Sequence, residues 1–177
     1  MIRDEGIALI LLAHSFFLGR DAKQLERFKP YPPLATMLAA AMLRDAGEHV
    51  RLFDATFAEG PGTFEEQLAG LPPAVLLLIE DNFNFLTKMC TENRREDALA
   101  MIRAARSRGW TVAVNSPDAI DNPRLYLGSG ASAVLAGEGE FAAVEFTRAS
   151  AAGTDLARVG GLVLDDGVGG LHRTPPR

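Results

Sequence analysis

The 177-residue sequence predicts an α/β domain: an open five-stranded parallel sheet with helices on both faces, followed by a C-terminal β-hairpin. Three observations predict it. Five short apolar runs recur at residues 7–12, 50–53, 74–79, 111–114 and 133–136. Most are continuous rather than alternating, as in strands covered on both faces. Segments of helical periodicity fall between them, and strand–helix alternation implies right-handed crossovers.

The first run is a strand rather than a signal sequence, because it is short and follows Arg3, Asp4 and Glu5. Leu34, Met37, Leu38, Ala41 and Met42 recur at helical spacing, with Pro33 in the first turn and Gly47 past the end. Residues 64–71 are a further, shorter helical pattern. Ala98, Met101, Ile102 and Ala105 form another stripe, with Asn93 and Glu96 resembling a capping box ahead of it and Gly109 closing it. Asp121 can cap a short helix over residues 123–127. Phe141, Val144, Glu145 and Arg148 suggest a last helix of mixed face. Residues 161–164 and 170–173 flank Asp165-Asp166-Gly167, a hairpin turn signal, and the chain then runs into Pro175-Pro176, an extended linker. Residues 1–155 are read as the α/β domain and 156–177 as hairpin and linker.

Composition narrows the function classes. A net charge of −5 argues against a nucleic-acid or anionic-membrane surface, which needs a basic footprint. No run approaches the ~20 apolar residues of a membrane span. Cys90 is the only cysteine, so no cysteine cluster can hold zinc or iron–sulfur, and a cytoplasmic, reducing setting is expected.

Open parallel sheets bind ligands outside the carboxyl ends of their strands. The loops that follow the strands, residues 14–33, 54–62, 80–93, 115–122 and 137–140, are therefore where function is expected. The first is long and carries Phe16, Phe17, Phe28 and Tyr31; it is either a functional loop or a flap with a small core of its own. The third reads Glu80-Asp81-Asn82-Phe83-Asn84-Phe85. Its aromatics can pack on a flat ligand while its amides bind the edge, or Phe83 and Phe85 are core and the polar groups cap the next helix.

The fifth loop, Gly137-Glu138-Gly139-Glu140-Phe141-Ala142, fits G-x-G-x-x-A, but on the last strand, with no acidic strand end about twenty residues on. Glu138 and Glu140 would repel a pyrophosphate. Its glycines are expected to let the backbone approach some other ligand. His14, ending the first strand, is either a metal ligand or a hydrogen-bonded strand-end histidine. His49 and His172 read as structural, and Ser15, Cys90 and Ser116 lack the flanking pattern of a nucleophile. A receiver domain would need an acidic pair where Ala13-His14-Ser15 stands and a lysine after the fifth strand. A flavodoxin would need a Ser/Thr-rich first loop.

Several motifs in order resemble the N-terminal cobalamin-binding domain of cobalamin-dependent radical-SAM proteins, a flavodoxin-like, Rossmann-like fold. They are Tyr31-Pro32-Pro33 before a helix ending Asp45-Ala46-Gly47-Glu48-His49-Val50, and Phe53-Asp54-Ala55 ending the second strand. Residues 128–131 precede Val134-Leu135-Ala136-Gly137-Glu138-Gly139-Glu140, and the tail is Arg173-Thr174-Pro175-Pro176-Arg177. The Asp-x-His-x-x-Gly loop of cobalamin carriers is absent, and the family's Gly-Gly-Pro-His stands here as Asn115-Ser116-Pro117-Asp118.

The resemblance implies a cobalamin across the strand ends, its cobalt presented to a radical-SAM barrel in cis or in trans for methyl transfer or related radical chemistry. Adenosylmethionine and a four-iron cluster would belong to that barrel, whose cysteine motif this sequence lacks. The implied cofactor-binding residues are Tyr31 and Asn82 at the corrin, Ser116, Pro117, Gly137, Glu138 and Gly139 along the nucleotide tail, and Asp81, Asn84, Asp118 and His14, the last also an axial-ligand candidate. A degenerate scaffold for protein interaction and a small-molecule sensor are the alternatives.

Overall fold

A computed structural model describes residues 9–81 and 88–177. In chain order the strands and helices are β1 (Leu9–Ala13), α1 (Ala22–Arg27), α2 (Leu34–Asp45), β2 (His49–Phe53), α3 (Pro61–Ala69), β3 (Val75–Ile79), α4 (Lys88–Ser107), β4 (Thr111–Asn115), α5 (Pro117–Asp121), α6 (Pro123–Gly128), β5 (Ala133–Leu135), α7 (Gly139–Ala151), β6 (Leu162–Asp165) and β7 (Leu171–Arg173). Short 3₁₀ turns at Leu18–Arg20 and Leu156–Arg158 complete them.

The strands form one sheet in the order β2-β1-β3-β4-β5-β6-β7. The first five are parallel, and the order reverses between β1 and β3. The sheet has seven strands rather than the expected five. The predicted hairpin exists, but β6 pairs antiparallel with β5 (Leu135 opposite Leu162) and β7 pairs with β6. This covers the backbone edge that β5 would otherwise leave open. The tail stays extended yet packs: Thr174 is buried and bonded to Leu162, and the carbonyl of Pro175 accepts from Gly161 N–H at 2.9 Å.

Alternation along each strand divides the core. Leu11, Leu76, Leu78, Val112 and Val114 face α3, α4 and α6, with Phe64, Met101 and Trp110. Ile10, Leu12, Leu77, Ala113 and Leu135 face α2 and α7, with Leu43 and Phe146. β2 is the exception to the buried-strand reading: as an edge strand it buries only Phe53.

Two helices turn the opposite face inward from the one that periodicity suggests. α2 buries Thr36, Ala39, Ala40 and Leu43, while Leu34, Met37 and Leu38 are exposed. α7 buries Gly139, Ala142, Ala143 and Phe146 and leaves Phe141 half exposed. Small residues let these two helices lie close to the sheet and to each other, which outweighs the transfer energy of the larger side chains left outside. α4 begins at Lys88, so Asn93 and Glu96 lie within the helix and do not cap it.

Candidate functional site

At the carboxyl ends of β3, β4 and β5 the chain leaves an open cleft of about 690 Å³. Topology places it there, because each parallel strand hands over to its loop on this rim. Ala35 of α2, Glu80 and Asp81 beyond β3, Asn115 ending β4, Pro117, Ile120 and Asp121 of α5, and residues 137–140 line it. Among the described residues, five carboxylates and no Lys or Arg make up its charged lining. Such a surface rejects a pyrophosphate and suits ligand groups that donate hydrogen bonds.

Asp81, Pro117, Gly137, Glu138 and Gly139, expected at the site, meet in this cleft. Asp81 carries a load within the protein: its Oδ1 accepts the Ala35 N–H at 2.9 Å. The residue before α2 is Pro33, which offers no capping side chain, so an acid 46 positions away satisfies the helix start. Gly137 turns the chain with φ +71°. Gly139 opens α7, and its missing side chain accommodates Asn115, whose Cγ would lie 2.5 Å from an added Cβ. The close approach expected of this glycine is therefore made by a neighbouring side chain. Asn115 Nδ2 donates to the carbonyls of Leu135 and Gly137 at 2.9 and 3.2 Å, tying β4 to the β5–α7 turn.

The remaining candidates sit apart. Ser116 is buried and caps α5, its Oγ accepting from Ala119 N–H. Asp118 is buried in a network: Arg95 grips both oxygens at 2.7 and 2.5 Å, and Tyr126 Oη donates at 2.7 Å. Burial pushes its carboxyl up, and the bonds from Arg95 and Tyr126 more than reverse this, leaving it below the usual carboxylate range.

Tyr31 stacks on Phe16 and lines a second hollow of about 300 Å³ with Pro33, Met37, Leu52 and Phe57. Burial lifts its phenol to about 12. The long first loop that carries it is folded, with Phe16, Phe17 and Leu18 buried and Arg20 bonded to Asp97. Asn82 and Asn84, with Phe83 and Phe85, lie outside the described residues.

His14 is 2 % exposed, and both ring nitrogens are engaged. Nδ1 accepts from Phe16 N–H at 3.2 Å, and Nε2 lies 3.0 Å from Asp54 Oδ1. The hydrogen bond from His14 holds the Asp54 carboxyl far below its ordinary range. This is a strand-end histidine fixed by protein partners, with no nitrogen turned to the cleft. Among the described residues no group of three or more His, Cys, Asp or Glu is arranged to hold a metal ion, and no helix is long and apolar enough to cross a membrane.

Sequence reasoning placed Glu80, Asn115, Asp121 and Glu140 in the loops where function is expected but did not single them out as contacts. Glu80 carried a signal, an acid directly after five buried apolar positions of β3. It is 2 % exposed; Oε1 accepts Ser15 N–H at 2.5 Å, and Oε2 is buried without a partner. Burial raises its carboxyl above the usual range, against the opposing pull of His14, Ser15 and Arg94.

No protein-family model and no curated protein matches the chain. Solved structures do. The radical S-adenosylmethionine methyltransferase TsrM from Kitasatospora setae, with cobalamin and a [4Fe-4S] cluster bound, is 22% identical, with a TM-score of 0.74 over 97% of this chain and 29% of its own. The cobalamin-dependent S-adenosylmethionine radical enzyme OxsB, with aqua-cobalamin and S-adenosylmethionine bound, is 17% identical, with a TM-score of 0.73 over 97% of this chain and 22% of its own. The chain thus spans less than a third of either neighbour, and what it shares with them is the fold: an α/β domain built on a mostly parallel sheet.

Proposed function

We propose that this chain is a cobalamin-binding module serving a radical-SAM active site supplied by another domain or chain. The observation that carries the proposal is the open cleft at the strand ends, on a fold shared with two enzymes solved with cobalamin. Among the described residues no side chain fills the cleft, and its ~690 Å³ lies within the usual range for small-molecule sites. Its lining also matches the cofactor chemically. A corrin carries a rim of primary carboxamides, whose N–H groups need acceptors, and the described lining of the cleft offers carboxylates and no Lys or Arg.

Ala35, Glu80, Asn115, Asp121 and residues 137–140 would hold the corrin edge, with Tyr31 beside it. Bound cobalamin supplies a cobalt-centred carrier for methyl transfer or related radical chemistry. The chain's own residues shape the cleft, and the exposed Leu34, Met37, Leu52 and Phe57 next to Tyr31 offer an apolar surface for the partner barrel. The same surface favours the second reading, a scaffold that binds protein and no cofactor. A cytoplasmic setting accompanies both.

Mixing the purified chain with hydroxocobalamin and separating it by gel filtration tests the proposal. Stoichiometric co-elution of corrin absorbance with the protein is the expected result. Complete separation would leave the scaffold reading.

A further inference from the structure

One group in the cleft is left incomplete by the protein. Of the acids lining it, Asp81 is spent on the start of α2, while Asp121 and Glu138 are exposed to water. Glu80 alone is almost wholly buried, and only half its carboxyl is hydrogen-bonded: Oε1 takes the Ser15 N–H, and Oε2 has no hydrogen-bond partner among the described residues. A buried oxygen without a partner is costly to leave unsatisfied, and in a native structure such a group calls for an explanation. The residue is held in place from both sides, by Ser15 at the end of β1 and by its own strand β3, across the point where strand order reverses.

We infer that the free oxygen of Glu80 reads a primary carboxamide on the edge of the bound ligand. A carboxamide meets this site whichever form the acid takes: its N–H donates to a carboxylate, and its carbonyl accepts from a carboxyl O–H. A phosphate or carboxylate on the ligand meets the ionised form with repulsion, so the discrimination between carboxamide and acid strengthens as pH rises. The assignment rests on the cobalamin reading above and makes Glu80 a specificity-determining contact within it.

The test uses the full chain, hydroxocobalamin, and its monocarboxylate isomers, in each of which one side-chain carboxamide has been hydrolysed to an acid. Wild type is expected to bind one isomer about tenfold or more weakly than the parent. Glu80→Gln keeps an acceptor for Ser15 and a donor for the ligand. It should bind the parent within about threefold of wild type and shrink the penalty for that same isomer to about threefold. A penalty unchanged in Glu80→Gln, or no isomer singled out by wild type, overturns the inference while leaving cobalamin binding intact. Failure of wild type to retain hydroxocobalamin overturns the cofactor reading, and this inference with it. Thermal unfolding of both proteins without ligand separates a loss of contact from a loss of fold.

Discussion

Asn115 and Gly139 are packed so closely that the second must be glycine: a β-carbon there would lie 2.5 Å from Asn115 Cγ and 2.9 Å from its Cβ. The contact joins the end of β4 to the start of α7, the two elements that form one wall of the cleft.

Gly139→Ala should therefore destabilise the fold by about 1–3 kcal/mol, the usual cost of overpacking. Asn115→Ala in the same chain should restore part of the loss, since it removes Cγ and Nδ2 but not Cβ. Urea unfolding followed by the fluorescence of Trp110, the only tryptophan and fully buried, measures both. Equal midpoints for Gly139→Ala and wild type would refute the packing argument.

Asp118 holds α4, α5 and α6 together through Arg95, Asn122 and Tyr126. Asp118→Ala should cost on the order of 3 kcal/mol, at the low end for a broken buried pair because Arg95 remains partly in water. Asp118→Asn, which keeps an acceptor, should cost less. The depressed carboxyl means this contribution is present above the unfolded carboxylate range and fades as pH falls through the folded value. Wild type and Asp118→Ala should accordingly converge in stability in acid.

Glu80 has the opposite sign. Its raised carboxyl contributes most below the unfolded value of ~4.3, and that contribution is lost as pH rises through the folded value. Glu80→Gln does not titrate. Its stability relative to wild type should climb steadily between acid and neutral pH, read from urea midpoints in a pH series. A flat difference would mean that Glu80 is ionised without penalty.

His14→Gln should leave the visible spectrum of bound hydroxocobalamin unchanged, because neither ring nitrogen faces the cleft, while lowering the unfolding midpoint through the lost contacts to Asp54 and Phe16. A spectral shift toward a different lower ligand in wild type, absent from His14→Gln, would restore the histidine as an axial ligand.

The sequence by itself determined the parallel sheet and the rim on which a ligand site must form. A run such as Val-Leu-Leu-Leu-Ile, short and rich in branched residues, reads as a strand buried on both faces, and parallel strands deliver their loops to one edge. That logic brings Asp81, Pro117 and residues 137–139 to one cleft although up to 58 positions separate them. Tertiary structure alone decided the rest. Apolar periodicity marks the larger side chains, whereas close packing selected the small ones, so α2 and α7 turned Ala39, Ala40, Ala142 and Ala143 inward. Strand register set the long-range partners: Asp81 for Ala35, Asp54 for His14, and Ser15 for one oxygen of Glu80. Hydrogen bonds need atoms within about 3 Å, and only the assembled sheet brings residues 40 to 65 positions apart to that distance.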